Sequence, residues 1–234
     1  MSIAQNVAEV RQRIVAAARR AGRDPGEITL MGVSKTFPPE RIREAYDVGL
    51  RIFGENRVQE FTGKAPALRD LQEAEWHMIG HLQSNKAGVA VEAFAAIDSL
   101  DSVKLAEKLN ASAKKLGKKL GVLIEINVGG ETAKSGLSPD SDELEELLTA
   151  APRFEQLEFR GLMTIPPFTE DAQPARPYFR KLRALRDRIV ARHLPGIRME
   201  VLSMGMSHDF EIAIEEGSTC VRVGTAVFGQ RAKH

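Results

Sequence analysis

The feature that most constrains the fold is a regular alternation of short β-branched runs with amphipathic segments. This alternation is typical of parallel strands joined by crossover helices. After an amphipathic N-terminal segment at 2–22, we predict strands at 28–34, 50–53, 76–79, 95–97, 121–128, 157–163, 198–202 and 220–223. Eight such units in 234 residues predict α/β architecture, a single (β/α)8 TIM barrel with an extra N-terminal helix, as one domain over 1–234.

An open doubly wound sheet is the alternative architecture. Such sheets usually carry five or six strands and a glycine-rich phosphate turn after the first strand. The first predicted strand instead ends in Ser34, Lys35 and Thr36, without such glycines. The barrel is therefore the better interpretation. Its main helices are predicted at 58–71, 85–94, 102–116, 140–151, 172–193 and 207–216.

Composition argues against several classes of function. The chain has 33 basic and 32 acidic residues and only 6% aromatic residues, so it offers neither the field nor the stacking platforms of a nucleic-acid binder. The single cysteine, Cys220, allows no intramolecular disulfide, and no Cys and His spacing suggests a metal. The N-terminus resembles no signal peptide, and no run approaches a membrane span. We therefore expect a cytoplasmic protein without a metal, a membrane or a nucleic acid as partner.

Active sites of such barrels lie at the C-terminal ends of the strands. The residues predicted there are Lys35, Glu55, Asn56, Gly80, His81, Ser99, Asn127, Met163, Ser203 and Arg222. A metal site would need several carboxylates or histidines, and a glycosidase would need two paired carboxylates. Glu55 is the clearest strand-end carboxylate, so neither kind of site is predicted.

Lys35 is the most informative of these residues because it follows an apolar strand and emerges from the barrel interior. Partial desolvation lowers the pKa of a lysine and frees its amine to attack a carbonyl group. A lysine at a strand end can equally extend its stem and place its charge in solvent. Position alone leaves both interpretations open.

A candidate phosphate site follows the last two strands. Ser203, Gly205 and Ser207 lie between the seventh strand and a helix, and Gly224 and Thr225 follow the eighth strand. Backbone N–H groups at helix starts suit phosphate, and these loops are its usual place in this fold. Taken singly, Ser207 could be an ordinary helix N-cap and Gly224 a plain turn. The occurrence of both in the expected place favours phosphate.

Arg222, at the end of the eighth strand, has two interpretations. It could form a structural ion pair with a strand-end acid such as Glu55, because a buried arginine without a partner is costly. It could instead be a fixed cation beside the ring of a ligand. A covalent lysine and a phosphate site fit pyridoxal phosphate, but they fit a sugar-phosphate aldolase equally well, and composition and spacing do not choose between them.

Short segments along nearly the whole chain carry a more specific signal. They are GVSKT at 32–36, FGEN at 53–56, VQE at 58–60, WHMIG at 76–80, LQ at 82–83, NK at 85–86, IN at 126–127, KSG at 134–136, GLM at 161–163, LSMGMS at 202–207, GST at 217–219, VRVGT at 221–225 and FG at 228–229. In this order they resemble the pyridoxal-phosphate homeostasis proteins, the YggS/PROSC family.

The resemblance implies the barrel of the N-terminal part of alanine racemase, without the second domain of that enzyme. It implies that Lys35 carries pyridoxal 5′-phosphate as a Schiff base and that Asn56 lies beside the cofactor. It further implies that Arg222 faces the pyridine nitrogen. The phosphate-binding residues that it implies are Ser203, Gly205, Ser207, Gly224 and Thr225.

The implied arginine has consequences for reactivity. Arginine can only donate hydrogen bonds, so it disfavours protonation of the ring nitrogen and makes the ring a poorer electron sink. A racemase would also need a second acid or base. Tyr46 and Tyr178 are predicted in helices, and His77 and His81 are more simply structural histidines. The resemblance therefore implies vitamin B6 homeostasis by storage, buffering and transfer of the cofactor, with little or no catalytic turnover.

Two other functions stay open at this point, a pyridoxal-phosphate-dependent amino-acid racemase and a Schiff-base aldolase acting on a phosphorylated sugar. We also hypothesise that Lys134, in the loop after the fifth strand, accepts the aldehyde from Lys35 during transfer. The expected partners are apo-enzymes that depend on pyridoxal phosphate, in transient contact with a monomer. The sequence does not name these recipient enzymes.

Overall fold

The computed structural model describes residues 2–131 and 134–230, in which eight parallel strands form a closed barrel. Each strand pairs with the next along the chain, and the last pairs with the first, where Thr29 lies opposite Cys220. The strands are β1 (Thr29–Val33), β2 (Ile52–Glu55), β3 (Glu75–Met78), β4 (Ala96–Leu100), β5 (Leu120–Glu125), β6 (Leu157–Met163), β7 (Ile197–Met206) and β8 (Cys220–Val223).

Helices surround this barrel and cross from each strand to the next. They are α1 (Ile3–Arg20), α2 (Pro39–Asp47), α3 (Val58–Lys64), α4 (Ala87–Ala93), α5 (Val103–Lys115), α6 (Asp142–Ala150), α7 (Arg176–Ala191), α8 (Phe210–Glu215) and α9 (Thr225–Phe228). The predicted TIM barrel with an extra N-terminal helix is confirmed. The ends of the predicted domain, residues 1 and 231–234, lie outside the described residues.

The N-terminal helix α1 is fixed at both the sequence and the tertiary level. Ser2 and Gln5 form a reciprocal capping box, which satisfies backbone donors that would otherwise be unpaired at the helix start. The buried face of α1 includes Val7 and Val10 and packs against α8, α9 and α2. The side chain of Asn6 donates to the carbonyl oxygen of Val227 over 2.9 Å. Helix α1 therefore covers the seam where β8 closes on β1.

Most apolar side chains pack between the strands and the surrounding helices, as in other barrels of this type. The barrel interior holds only a small apolar cluster, with Met31, Val33, Ile79 and Cys220 at its centre. Charged side chains occupy much of the remaining interior, and Asp98 and Arg222 are only 1% and 2% exposed. Charged groups inside a barrel need specific partners, so the interior is the place to look for function.

Two strand ends differ from the prediction in ways that matter for the site. β7 continues to Met206, so residues 203–206 belong to the strand and not to a loop, and α8 begins only at Phe210. The pairing of β7 with β8 is irregular between Ser203 and Met206, which the sequence pattern does not reveal. β5 ends at Glu125, three residues before the predicted 128, because Leu137 returns to bond the Glu125 carbonyl.

Within residues 2–131 and 134–230, no helix has both the length and the hydropathy needed to cross a bilayer.

Helix α7 packs one face against the barrel and leaves the other in solvent, so substitutions on the two faces should differ in their effect on the free energy of unfolding. Phe179 is fully buried, whereas Val190 on the same helix is 48% exposed. We expect Phe179→Ala to lower the free energy of unfolding by about 3–5 kcal/mol, since it removes a buried ring and leaves a cavity. Val190→Ala is the matched control and should change it by less than about 0.5 kcal/mol. Urea unfolding followed by circular dichroism measures both, and equal losses would contradict the packing described.

Candidate ligand-binding site

A cavity of about 570 Å³ opens at the C-terminal ends of the strands, and we call it the mouth cavity. Six of the eight predicted site residues line it together: Lys35, Asn56, Ser207, Arg222, Gly224 and Thr225. The other two predicted residues, Ser203 and Gly205, do not line the cavity and lie behind it in β7. The barrel thus brings together residues that are up to 190 positions apart in the sequence, from 35 to 225.

A second cavity, of about 490 Å³, lies at the opposite end of the barrel. It contains His77, whose Nδ1 lies 3.2 Å from a carboxylate oxygen of Asp98. Burial lowers the pKa of His77, but Asp98 and then Glu75 outweigh burial and raise that pKa to about 9. Because the active sites of such barrels lie at the other end, His77 is a structural histidine of the barrel floor.

The backbone before Lys35 is held by a buried carboxylate. The Ser34 hydroxyl donates to Glu55 Oε1 over 2.6 Å, and Lys64 Nζ donates to both carboxylate oxygens of Glu55 over 2.8 and 3.0 Å. The same ammonium donates to the Ser34 carbonyl over 3.2 Å. Burial raises the pKa of Glu55, while Lys64 and Ser34 act to lower it. Glu55 therefore has its counter-charge from Lys64.

The backbone after Lys35 is also constrained. Thr36 has φ +67°, a left-handed conformation that is rare for a β-branched residue. Its N–H donates to Glu60 Oε1, which also forms an ion pair with Lys64. Strained residues of this kind persist only where their surroundings hold them, and they cluster at functional sites. Glu60 appeared in the sequence only within the VQE segment, without a role, and Lys64 was not singled out, although their spacing of four on one helix favours pairing.

Arg222 lies inside the barrel below the mouth cavity. Its Nη1 donates to Ser203 Oγ over 2.8 Å and its Nη2 donates to the Thr164 carbonyl over 2.7 Å. Within residues 2–131 and 134–230 it forms no ion pair with a carboxylate, so the alternative of an Arg222–Glu55 pair is wrong. The partner of Glu55 is Lys64 instead. Burial lowers the pKa of Arg222, but an arginine remains charged in proteins.

The last two strands build an arrangement suited to an anion. Ser207 Oγ accepts hydrogen bonds from the N–H groups of Gly224 and Ala226 over 3.2 and 3.3 Å. The interpretation of Ser207 as the N-cap of the next helix is therefore wrong, because α8 begins after Asp209. Two backbone N–H groups converge on an oxygen at the rim of the cavity, as they would on a phosphate oxygen.

Gly205 shapes this arrangement from behind. Its φ is +94°, and an added Cβ would lie 2.6 Å from the Ala213 Cβ and 2.9 Å from the Phe210 Cα. Only glycine allows both the left-handed conformation and this close approach. Gly205 therefore lets the end of β7 press against α8 and places Ser207 beside β8.

The loop after β5 covers another side of the cavity. The Asn127 side chain donates to the Glu131 carbonyl over 2.8 Å, which ties the start of the loop to its middle. Lys134 lines the cavity, forms an ion pair with Glu131 and donates to the Pro166 carbonyl over 3.4 Å. Lys134 thus lies at the same cavity as Lys35, on a different loop.

Glu125 is a cavity residue that the sequence analysis missed. It ends β5, lines the mouth cavity and is 7% exposed. Burial raises its pKa to about 7, Asp101 adds to this effect, and Arg222 and His81 oppose it. The prediction ran the fifth strand to residue 128 and so placed Glu125 inside the strand. Glu125 lies two residues after Leu123, which faces the barrel interior, and alternate residues of a strand face the same side. This alternation could have predicted that Glu125 faces the interior.

The comparisons with known proteins agree with one another. The family model described as "Alanine racemase, N-terminal domain" matches residues 3–232. A pyridoxal phosphate homeostasis protein of Aquifex aeolicus is 48% identical over 231 residues, covering 99% of each chain. A protein of the same name from Escherichia coli K12 is 44% identical over 236 residues, covering 98% of this chain and 97% of that protein.

Solved structures give the same result. PipY of Synechococcus elongatus, solved with pyridoxal phosphate bound, is 38% identical with a TM-score of 0.86, covering 97% of this chain and all of that chain. An alanine racemase of Clostridium difficile is 16% identical with a TM-score of 0.71, covering 99% of this chain and 57% of that chain, which shows the fold alone. The chain belongs to the alanine racemase N-terminal domain family and, within it, to the pyridoxal phosphate homeostasis proteins.

Proposed function

We propose that this protein binds pyridoxal 5′-phosphate through a Schiff base to Lys35 and that it stores, buffers and transfers this cofactor, as one barrel domain over 1–234. The observation that carries the proposal is the mouth cavity, which holds a lysine, a fixed arginine and converging N–H groups on connected walls. The structure of PipY with pyridoxal phosphate bound, at 38% identity, supports the same ligand for this chain.

The residues of the mouth cavity fit this cofactor. A volume of about 570 Å³ lies within the range of small-molecule sites. Lys35 follows β1, and Ser207, whose hydroxyl would donate to the phosphate, is held by N–H groups that follow β8, the strand beside β1 in the closed barrel. When bound, the cofactor supplies an aldehyde and an electron-withdrawing ring. In the proposed site Asn56 lies beside that ring and Thr225 beside the phosphate, with Ser203 and Gly205 supporting from behind.

The position of Arg222 favours binding over turnover. Its guanidinium is fixed by Ser203 and the Thr164 carbonyl, and it can donate hydrogen bonds but accept none. A ring nitrogen facing it would keep its lone pair and remain unprotonated, which weakens the ring as an electron sink. We therefore propose little or no catalytic turnover. Assay of a panel of amino acids for racemisation tests this, and we expect no turnover; turnover of any amino acid would support the racemase alternative.

The candidates for a second acid or base support the same conclusion. Tyr46 lies in α2 and Tyr178 in α7, as predicted, and neither lines the mouth cavity. His77 lies at the opposite end of the barrel. His81 does line the cavity, but its Nδ1 is 3.1 Å from a carboxylate oxygen of Asp101.

We also propose that the protein is a cytoplasmic monomer that contacts apo-enzymes transiently. Sedimentation would test the monomer, and pull-down with apo-enzymes would test the contacts.

The first prediction from the proposed function concerns the covalent anchor. We expect the purified protein, incubated with pyridoxal phosphate, to show a visible absorption band that borohydride removes, and peptide mapping to place the pyridoxyl group on Lys35. Lys35→Ala should lose this band, because its side chain has no amine to form the Schiff base. Lys134→Ala is the matched control and should keep the band and the labelled peptide.

A colourless wild-type protein that takes up no pyridoxal phosphate would contradict the proposal. Trapping of Lys35 by borohydride with a phosphorylated sugar, and not with pyridoxal phosphate, would indicate the aldolase instead.

A second prediction concerns phosphate recognition by Ser207. Its hydroxyl accepts from two N–H groups and can donate its own hydrogen to an anion. Hydrogen bonds to charged groups contribute about 1.5–3 kcal/mol, so Ser207→Ala should weaken binding of pyridoxal phosphate roughly 10- to 100-fold. Pyridoxal, which lacks the phosphate, is the matched control ligand, and its affinity should be unchanged. An equal loss for both ligands would place the phosphate elsewhere.

A third prediction concerns transfer. If Lys134 accepts the aldehyde from Lys35, then Lys134→Ala should hand the cofactor to an apo-enzyme several-fold more slowly than the wild type while binding it equally well. Activation of the apo-enzyme after mixing with the loaded protein measures the rate. Transfer at the wild-type rate would remove Lys134 from the proposed route.

A further inference from the structure

One carboxyl group of the mouth cavity has no role in the function proposed above. Within the described parts of the chain, two buried side-chain oxygens accept no hydrogen bond, Oε2 of Glu125 and Oε2 of Glu131. Glu131 forms an ion pair with Lys134, which leaves Oε2 of Glu125 as the buried oxygen of these two without a donor. Glu125 is 7% exposed and lines the cavity, so its unpaired oxygen is buried at the place where a ligand would bind.

Charged and titratable groups face Glu125 from three neighbouring elements. Asp101 faces it from the end of β4, His81 from the chain after β3 and Arg222 from β8. The Arg222 Nη1 and Nη2 donate to Ser203 and to the Thr164 carbonyl, and His81 is bound to Asp101. Burial and then Asp101 raise the pKa of Glu125 to about 7, and Arg222 and His81 oppose this rise.

The backbone after β5 keeps Glu125 in this environment. Gly136 has φ +102°, and an added Cβ there would lie 3.1 Å from the Glu125 Cγ. The Leu137 N–H donates to the Glu125 carbonyl over 2.9 Å. Gly136 and Leu137 of the returning chain thus pack against Glu125.

An anionic ligand makes the ionised form of Glu125 still less favourable. A phosphate ester brings about 1.5–2 negative charges at neutral pH, and like charges in one cavity raise the pKa of a carboxyl group. A neutral carboxylic acid, by contrast, has an O–H that can donate to a ligand oxygen. Buried carboxylic acids held neutral for this purpose are an established device in ligand sites.

We propose that Glu125 binds the ligand as a neutral carboxylic acid, so that the mouth cavity takes up one proton when it captures an anionic phosphate ester and returns it on release. The inference rests on the proposed function, in which pyridoxal phosphate is that ester. The proton comes from solvent and converts the Glu125 carboxylate to the acid, and no bond to carbon changes. Capture is therefore favoured at low pH, and release is favoured as the pH rises above about 7.

Calorimetry tests this proposal directly. Pyridoxal phosphate is titrated into the ligand-free protein at pH 8, in two buffers with different ionisation enthalpies, which gives the number of protons taken up. We expect the wild type to take up close to one proton more than Glu125→Gln, whose amide is a neutral donor of the same shape. Glu131→Gln is the matched control, since it removes a carboxylate from the loop that follows β5, and it should behave like the wild type.

The pH dependence of affinity gives a second readout. Between pH 7 and 9 the wild type should lose about tenfold in affinity per pH unit relative to Glu125→Gln, because each unit above the pKa makes the acid tenfold rarer. At pH 8 the glutamine variant should therefore bind about tenfold more tightly than the wild type. Glu125→Ala, which has no donor, should show no extra proton uptake and should bind more weakly than Glu125→Gln.

The ligand-free protein gives a third readout, which also checks folding. A carboxyl whose pKa is raised in the folded state contributes stability that is present below the unfolded pKa and is lost as the pH rises through about 7. The unfolding free energy of the wild type should thus fall between pH 5 and pH 8 more than that of Glu125→Gln.

Equal proton uptake and equal pH slopes in the wild type and Glu125→Gln would overturn the role of Glu125. If borohydride still labels Lys35 in that case, the proposed function stands and only this inference fails. If the wild type binds no pyridoxal phosphate at any pH, both fail together.

Discussion

The guanidinium of Arg222 inside the barrel determines how the rest of the site is arranged. A buried charge needs polar partners, and here they are the Ser203 hydroxyl and the Thr164 carbonyl, not a carboxylate. These two hydrogen bonds tie β8 to β7 and to the chain after β6, and they fix the guanidinium at the mouth cavity through neutral oxygens. A permanent donor at that position suits a ligand with an acceptor atom and explains why we favour binding over carbanion chemistry.

Lys35 depends on a second polar network, which lies outside the cavity. Glu55, Lys64 and Glu60 hold the backbone on both sides of Lys35, including the left-handed Thr36. Lys64 forms ion pairs with both carboxylates, and none of these three side chains lines the mouth cavity. The network therefore orders the chain around Lys35 without adding an acid or base to the cavity. A fixed backbone with a reactive amine at the rim is what a reversible covalent anchor requires.

The mouth cavity is electrically asymmetric. Lys35, Arg222 and the N–H groups after β8 form a wall that suits an anion, and Glu125 and Asp101 lie on the side of β4 and β5. The anionic ligand that we propose is attracted by the first wall and opposed by the ionised form of Glu125. Protonation of Glu125 removes this conflict, which makes the carboxyl a point at which pH acts on capture and release.

The sequence by itself determined the barrel, since eight alternating units in this length leave few other architectures, and it placed Lys35, Asn56, Ser207, Arg222, Gly224 and Thr225 at one end of it. The predicted strand ends were enough for this placement, because the C-terminal ends of the strands of a parallel barrel meet at one edge. Only the tertiary structure decided which charges pair. In the fold Lys64 pairs with Glu55, Arg222 donates to neutral oxygens, and Oε2 of Glu125 has no donor. These outcomes depend on strand register, irregular pairing and burial, which are set by contacts between distant segments and leave no local pattern in the chain.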